Sequence, residues 1–257
     1  MKTLSLVLAT CGLVAAGALA NEVSVDYLGH SCFALNEEAG PVIVIDPYAD
    51  YLPYPALPRA ADVVLITHGH IDHCPYCFGQ QERVSGDPTI VWPFDAQGQV
   101  REGTWKIADG LSVRFIEASH VTASGGGEGL VTLFSFALGG IQFAHLGDLG
   151  RLLTPEQVAA LGAVQVLFVP VGGAYTIGAA EAVAVVKQLP TVRIVIPMHF
   201  FVDEYCPWPD MAPADGFLSL AEEEGWSVRR PASSRVGLEP ETLPEAVEVW
   251  LLPFAIE

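Results

Sequence analysis

The apolar run Val63-Val64-Leu65-Ile66 stops at Thr67-His68-Gly69-His70-Ile71-Asp72-His73, and this junction restricts the fold more than any other stretch of the chain. Four consecutive branched aliphatic side chains read as a strand buried on both faces. Three imidazoles and a carboxylate then follow within six residues. Packing does not account for them, because His and Asp are costly to bury without partners. They are the donors that a borderline metal such as zinc prefers, and a turn at a strand end folds such near neighbours around a cation. A lone His-x-His is common by chance; His-x-His-x-Asp-His is not. One turn supplies too few ligands, so the fold has to bring others to the same place.

The rest of the chain offers a suitable frame. Residues 23–28 and 32–35 are strand pieces, 42–45 is a buried strand that ends at Asp46-Pro47, and further strands are expected at 90–92, 105–107 and 113–116. Residues 130–143 form a hairpin around Gly139-Gly140. Thr154-Pro155-Glu156-Gln157 opens a helix with an N-cap, a proline at the first helical position and a capping-box glutamine. Strand 166–169, an Ala-rich helix over 179–189 with Thr176 as its expected cap, and strand 194–196 make a crossover unit in a buried sheet. Another helix is expected near 218–224 and a last strand near 247–252. Asp46, His68, Asp148 and His199 all stand where apolar strands end. Strand ends on one edge of a sandwich converge, so a rigid core can hold such side chains together. His120, after Glu117-Ala118-Ser119, has the same placement.

Taken together these segments resemble the metallo-β-lactamase fold superfamily, and within it the group of ascorbate-6-phosphate-lactonase-like metal-dependent hydrolases. The elements that carry the resemblance are Gly29-His30-Ser31 with Phe33, Ile45-Asp46-Pro47, the His-rich turn, Ala118-Ser119-His120, His145-Leu146-Gly147-Asp148, Gly172-Gly173 with Tyr175-Thr176, and Pro197-Met198-His199. The resemblance implies an α/β fold, a four-layer αββα sandwich with its site along one edge. It implies two divalent metal ions, zinc first with manganese or iron as alternatives. His68, His70 and His120 would hold one ion, Asp72, His73 and His199 the other, and Asp148 would bridge them. Asp46 would orient a ligand histidine from behind. Asp72 and Asp148 are the expected catalytic carboxylates, with Asp72 a candidate to take a proton during turnover. His30 and His145 each have two readings, site or scaffold. Ser119 and Tyr175 are candidates to hold substrate, and the glycine-rich stretch 124–129 reads as a flap or as a plain flexible hairpin approach. The aromatic and Pro-rich loops 48–60, 75–87 and 201–216, with Tyr205 and Trp208, are expected to form the pocket rim.

Composition bounds the chemistry. The first twenty residues carry one Lys, an apolar run and the tripeptide Ala18-Leu19-Ala20, the pattern of a cleaved secretory signal, so a periplasmic or secreted protein is expected with no stable membrane insertion after cleavage. Cys11 follows Thr10, a poor context for lipidation. Residues 21–257 then form the hydrolase domain. The formal net charge is −18 with only 12 Lys and Arg, a surface that repels phosphate backbones; a small-molecule substrate is expected and nucleic acid is not. Oligomeric state cannot be read from the sequence. Cys74-Pro75-Tyr76-Cys77 can close a short disulfide, act as a redox pair or supply half a zinc site. Three rival functions remain open: a zinc β-lactamase, although β-lactamases of the superfamily generally lack the bridging Asp; an iron-dependent redox protein that handles oxygen or sulfur; and a non-catalytic binding module.

Overall fold

Side-chain alternation sorts the first strands into two layers of packing. In β1 (Val23–Gly29), Val23, Val25 and Tyr27 join the central core while Leu28 faces outward; in β2 (Cys32–Glu37), Phe33 and Leu35 point in while Cys32 and Ala34 point out. In β3 (Ile43–Ile45) and β4 (Val63–Leu65) the outer residues are the central ones, Val44 and Val64. Both faces of this sheet are therefore buried, as its unbroken apolar runs require. The structure is a computed structural model that describes residues 22–38, 40–54, 57, 60–81, 83–121 and 128–254. The expected signal segment 1–20, with Cys11, and residues 122–127, which include 124–127 of the glycine-rich stretch, lie outside the described residues.

Six strands form the first sheet in the order β13-β1-β2-β3-β4-β5, where β5 is Thr89–Val91 and β13 is Arg235–Leu238. The β3, β4 and β5 strands run parallel, and the other pairings are antiparallel. Eight strands form the second sheet, β12-β14-β11-β10-β9-β8-β7-β6. Its antiparallel half is β6 (Gly103–Ala108), β7 (Leu111–Val121), β8 (Glu128–Leu138) and β9 (Ile141–His145). Its parallel half continues through β10 (Val166–Pro170), β11 (Ile194–Met198), β14 (Glu248–Trp250) and β12 (Ser227–Arg229). Phe33 from the first sheet packs against Phe168 of the second, the rings tilted with centroids 4.3 Å apart, in a core that also buries Phe134, Phe136 and Phe143.

Helices α1 (Pro155–Leu161), α2 (Ala179–Gln188) and α3 (Asp215–Glu223) connect the parallel strands and pack with the second sheet. The α/β sandwich is thus the one expected. Its outer layer over the first sheet is built differently: Tyr48, Tyr54, Cys74, Val84, Cys206 and Met211, from irregular chain and the 3-10 turn Pro75–Phe78, cover Leu28, Ala34, Val44 and Val64. Prolines at 47, 53 and 75 help keep that layer from forming an α-helix, since each removes a backbone donor.

One local expectation needs correction. Thr176 does not cap α2; its hydroxyl donates to the Ile177 carbonyl, and Gly178 holds the cap position with no side-chain bond. The short strands β12 and β13 were not legible, because three or four residues with exposed arginines show no buried period. The capping box at Thr154 forms as expected, with both reciprocal bonds present.

Candidate metal centre

Parallel strand ends deliver the first part of the site. Ile45 of β3 lies opposite Leu65 of β4, so Asp46 and the turn after Ile66 leave the sheet side by side. Asp46 then ties that turn down. Its Oδ1 accepts the Thr67 N–H at 2.7 Å, and its Oδ2 accepts the Thr67 hydroxyl at 2.6 Å and the His73 Nδ1–H at 2.8 Å. With its only proton given to Asp46, the Thr67 oxygen is left to accept from His68 Nδ1, 3.1 Å away. Asp46 therefore orients two imidazoles, one directly and one through Thr67, and turns both Nε2 atoms inward as ligands require. The N–H groups of His73 and Cys74 close the turn on the His70 carbonyl, at 3.1 and 2.8 Å.

The second sheet delivers the rest. After β9, Gly147 at φ 47° reverses the chain and returns Asp148 toward the His-rich turn. A Cβ on Gly147 would stand 2.8 Å from Val131 Cγ2 and 2.9 Å from Thr67 Cβ, so glycine is what lets the two sheets' turns meet. His199 follows β11, its N–H on the His30 carbonyl at 3.0 Å, and His120 comes from the end of β7. Gly172 admits the His199 carbonyl so closely that a Cβ there would lie 2.2 Å from it.

All seven expected ligands meet, with Asp148 at their junction. Its Oδ2 lies 3.1 Å from His120 Nε2, 3.3 Å from His199 Nε2 and 3.5 Å from His68 Nε2, while its Oδ1 lies 3.1 Å from His73 Nε2. The donors fall into two groups, His68, His70, His120 and Asp148 in one and His30, Asp72, His73 and His199 in the other, the ligand atoms within each lying no more than 4.8 Å apart. Nε2 of His68, His73 and His199 and Oδ1 of Asp148 are buried with no hydrogen-bond partner. Such atoms are costly to leave unsatisfied. Imidazole and carboxylate donors converging without hydrogen bonds fit a pair of divalent cations.

The electrostatics agree. Burial alone would raise the Asp148 carboxyl, but His199, His73 and His68 outweigh it and hold it well below the usual carboxylate range. Burial likewise opposes ionisation of Asp72, and His73 and His30 reverse the balance. Burial pushes His68 well down, with neighbouring His73 adding to the effect, which leaves its ring neutral. His73 goes the other way: burial lowers it, yet Asp148, Asp72 and Asp46 together raise it well above the usual imidazole value. A cation at Nε2 requires that nitrogen unprotonated, so protonation of His73 and ion binding oppose each other.

The remaining candidates divide. His30 belongs to the site: its Nε2 is 2.9 Å from Asp72 Oδ2 and its Nδ1 2.9 Å from the Tyr54 hydroxyl. His145 is scaffold, its Nε2–H donating to the Ser31 carbonyl at 3.0 Å while Nδ1 accepts the Gly147 N–H at 3.2 Å, under the turn that presents Asp148. Ser119 accepts the Gly150 N–H through its carbonyl at 2.8 Å; alternation along β7 sends its side chain to the face opposite His120. Tyr175 is half-buried, its hydroxyl 3.3 Å from Asp210 and its ring near Trp208, whose ring lies 5.5 Å from His30. Cys74 and Cys77 are bonded to each other beside the turn, and Cys32 and Cys206 are buried free thiols. His30, Asp46 and His199 occupy left-handed backbone at φ 55°, 49° and 51°. Such conformations cost non-glycine residues about 1–3 kcal/mol each and gather at functional sites.

Sequence reasoning missed Thr67, Tyr54 and the cleft wall. A cleft of about 530 Å³ opens beside His68, His70 and His120, walled by Trp92, Phe94 and Leu130 with Asp95 also lining it. Trp92 is 36% exposed, and its sequence context marks only the end of a strand. An aromatic placed one residue past a short strand could have signalled a lip.

A model of the β-lactamase superfamily domain matches residues 24–199. A UPF0173 metal-dependent hydrolase from Methanosphaera stadtmanae is 30% identical over 203 residues, which cover 69% of this chain and 84% of the relative. Among solved structures, one assigned as a Zn-dependent hydrolase of the metallo-β-lactamase superfamily from Thermotoga maritima shares 32% identity with a TM-score of 0.66, covering 90% of this chain and 98% of that one. Igni18, a metallo hydrolase from Ignicoccus hospitalis, shares the fold at 24% identity with a TM-score of 0.62, covering 85% of this chain and 99% of its own. Sandwich, paired His/Asp clusters and relatives agree, and the chain is a metal-dependent hydrolase belonging to the metallo-β-lactamase superfamily and, within it, to the UPF0173 family.

Proposed function

We propose that the chain is an exported binuclear hydrolase acting on an ester-, lactone- or phosphodiester-type bond of a small molecule. The observation that carries this reading is the Asp148 carboxylate, 1% exposed, with Nε2 of four histidines within 3.1–3.5 Å of its two oxygens. A carboxylate so placed spans both donor groups. When bound, a pair of divalent cations supplies water activated at near-neutral pH, its pKa lowered toward about 7, and polarises the scissile oxygen.

The chain's own residues do the rest. His68, His70, His120 and Asp148 would hold one cation and Asp72, His73 and His199 the other, with Asp148 shared. Asp46 and Thr67 fix the rings of His73 and His68 so that the donors are aligned before any ion arrives. Asp72 keeps carboxylate capacity beyond its bond from His30, which supports a role for it in accepting a proton during turnover. His70, exposed at the cleft, marks the side from which substrate reaches the centre, and Trp92, Phe94 and Leu130 offer it an apolar wall. Zinc is the metal that the donor set favours, with manganese or iron as alternatives. Export rests on the composition of residues 1–20, and exclusion of nucleic acid on the net charge of −18.

Elemental analysis of the purified mature protein, joined to a screen of lactone, carboxylic ester, β-lactam and phosphodiester substrates, tests the proposal. Two equivalents of zinc or manganese with turnover of one substrate class support it. Stoichiometric iron with a visible-region spectrum and no hydrolysis would replace it with the redox reading. His70→Ala and Asp148→Asn should each abolish turnover and lower bound metal while the fold persists; full metal and full activity in both variants would refute the ligand assignment.

A further inference from the structure

We propose that Tyr54 and His30 act as a positioning pair that fixes Asp72 and so sets how tightly the Asp72/His73/His199 pole holds its ion. The inference rests on the two-ion reading above. Both side chains are buried, and they form an unbroken line: Tyr54 hydroxyl to His30 Nδ1 at 2.9 Å, His30 Nε2 to Asp72 Oδ2 at 2.9 Å. The direction of every bond in that line is forced. An ionised carboxylate only accepts, so His30 Nε2 must carry the proton. A neutral imidazole has one N–H, so Nδ1 is an acceptor and the Tyr54 hydroxyl must donate to it.

Removing the Tyr54 hydroxyl from this line leaves His30 Nδ1 buried without a donor, which loosens the hold on the ring and weakens the bond that Asp72 receives from Nε2. The backbone of His30 is held independently: its carbonyl accepts from the Tyr27 hydroxyl at 2.9 Å and from the His199 N–H at 3.0 Å, and its ring lies 4.2 Å from that of His199. The same Asp72 oxygen that receives His30 stands 3.5 Å from His73 Nε2 and 3.8 Å from His199 Nε2. One lone pair is thereby tied from behind while the other faces the pole. With both ring nitrogens engaged, His30 is not itself a ligand, even though it clusters with the donors. Asp46 serves both poles, His73 directly and His68 through Thr67, so the Tyr54–His30 line is a separate support for Asp72.

The test uses metal-free protein titrated with cobalt(II), read by visible absorption against a competing chelator, and histidine nitrogen NMR of the same metal-free samples. Tyr54→Phe is compared with Tyr48→Phe, a buried tyrosine whose hydroxyl donates to the Leu28 carbonyl at 2.7 Å and does not reach His30. Wild-type His30 should appear as the Nε2–H tautomer. Y54F should keep the Nε2–H tautomer that Asp72 imposes but show His30 Nδ1 shifted by loss of its hydrogen bond, and should bind the weaker of two cobalt equivalents about 10–100-fold less tightly, whereas Y48F should match wild type in both readouts. An Nδ1–H tautomer in the wild type, or equal effects of Y54F and Y48F, would overturn the inference. Wild-type protein that binds fewer than two ions would overturn the two-ion reading and this inference with it; two ions held equally well by Y54F would overturn the inference alone.

Discussion

Asp46 and His145 look alike in the sequence, single polar residues at the end of apolar strands, yet they have different consequences. Asp46 gathers three donors, two from Thr67 and one from His73, on a fully buried carboxylate. Asp46→Asn puts an N–H where one of those donors points, so metal affinity should fall about 10–100-fold, measured by chelator competition, with the fold retained. His145→Phe should do the reverse. It leaves the Ser31 carbonyl and Gly147 N–H without their partner, at about 1–3 kcal/mol each, which denaturant unfolding would register. Metal stoichiometry should stay as in the wild type, and a lost equivalent would return His145 to the site. The ligand types and strand-end placement of the site were legible because donor chemistry is written in residue identity. The partners Thr67 and Tyr54 were not. Their roles depend on contacts 21 and 24 residues away that only the folded sheet brings about.

At the level of elements, apolar alternation and capping signals located most strands and the start of α1, while the short edge strands escaped because they bury too little to show a period. The α1 start also bears on the site. Thr154 accepts the Gln157 N–H at 3.2 Å, Gln157 returns a bond to the Thr154 N–H at 2.9 Å, and the Gln157 amide donates to the Glu117 carbonyl at 2.7 Å, three residues before His120. Thr154→Ala removes the cap and should cost about 1 kcal/mol in urea unfolding. Cobalt affinity should not change, because β7 remains paired along its length with β8, which fixes His120 independently of the helix. A variant that lost metal as well as stability would show that the helix, and not the strand pairing, holds His120 in place.

For the whole molecule, two effects of cations have to be separated. A net charge of −18 on 257 residues means that any added cation relieves self-repulsion, which favours the compact state without binding anywhere in particular. Ligation at the paired clusters is different: an ion that binds only the native state stabilises by mass action, about 4 kcal/mol when its free concentration is a thousandfold above Kd. For a domain of this size that corresponds to a Tm rise of roughly 8–16 °C. Zinc or cobalt at micromolar levels should therefore raise the Tm of chelator-treated protein by that order. Magnesium at the same concentration should leave it nearly unchanged, since a hard cation gains little from imidazole donors. Sodium chloride at about 0.2 M, where exposed charges more than about 8 Å apart are largely screened, measures the non-specific part. Asp148→Asn distinguishes the sources, because it alters one buried charge in a chain that keeps almost all of its surface repulsion: the salt response should survive and the zinc response should collapse. Equal Tm rises with zinc and magnesium, or a zinc response undiminished in Asp148→Asn, would mean that the clustered histidines and carboxylates do not act as one ion-binding centre.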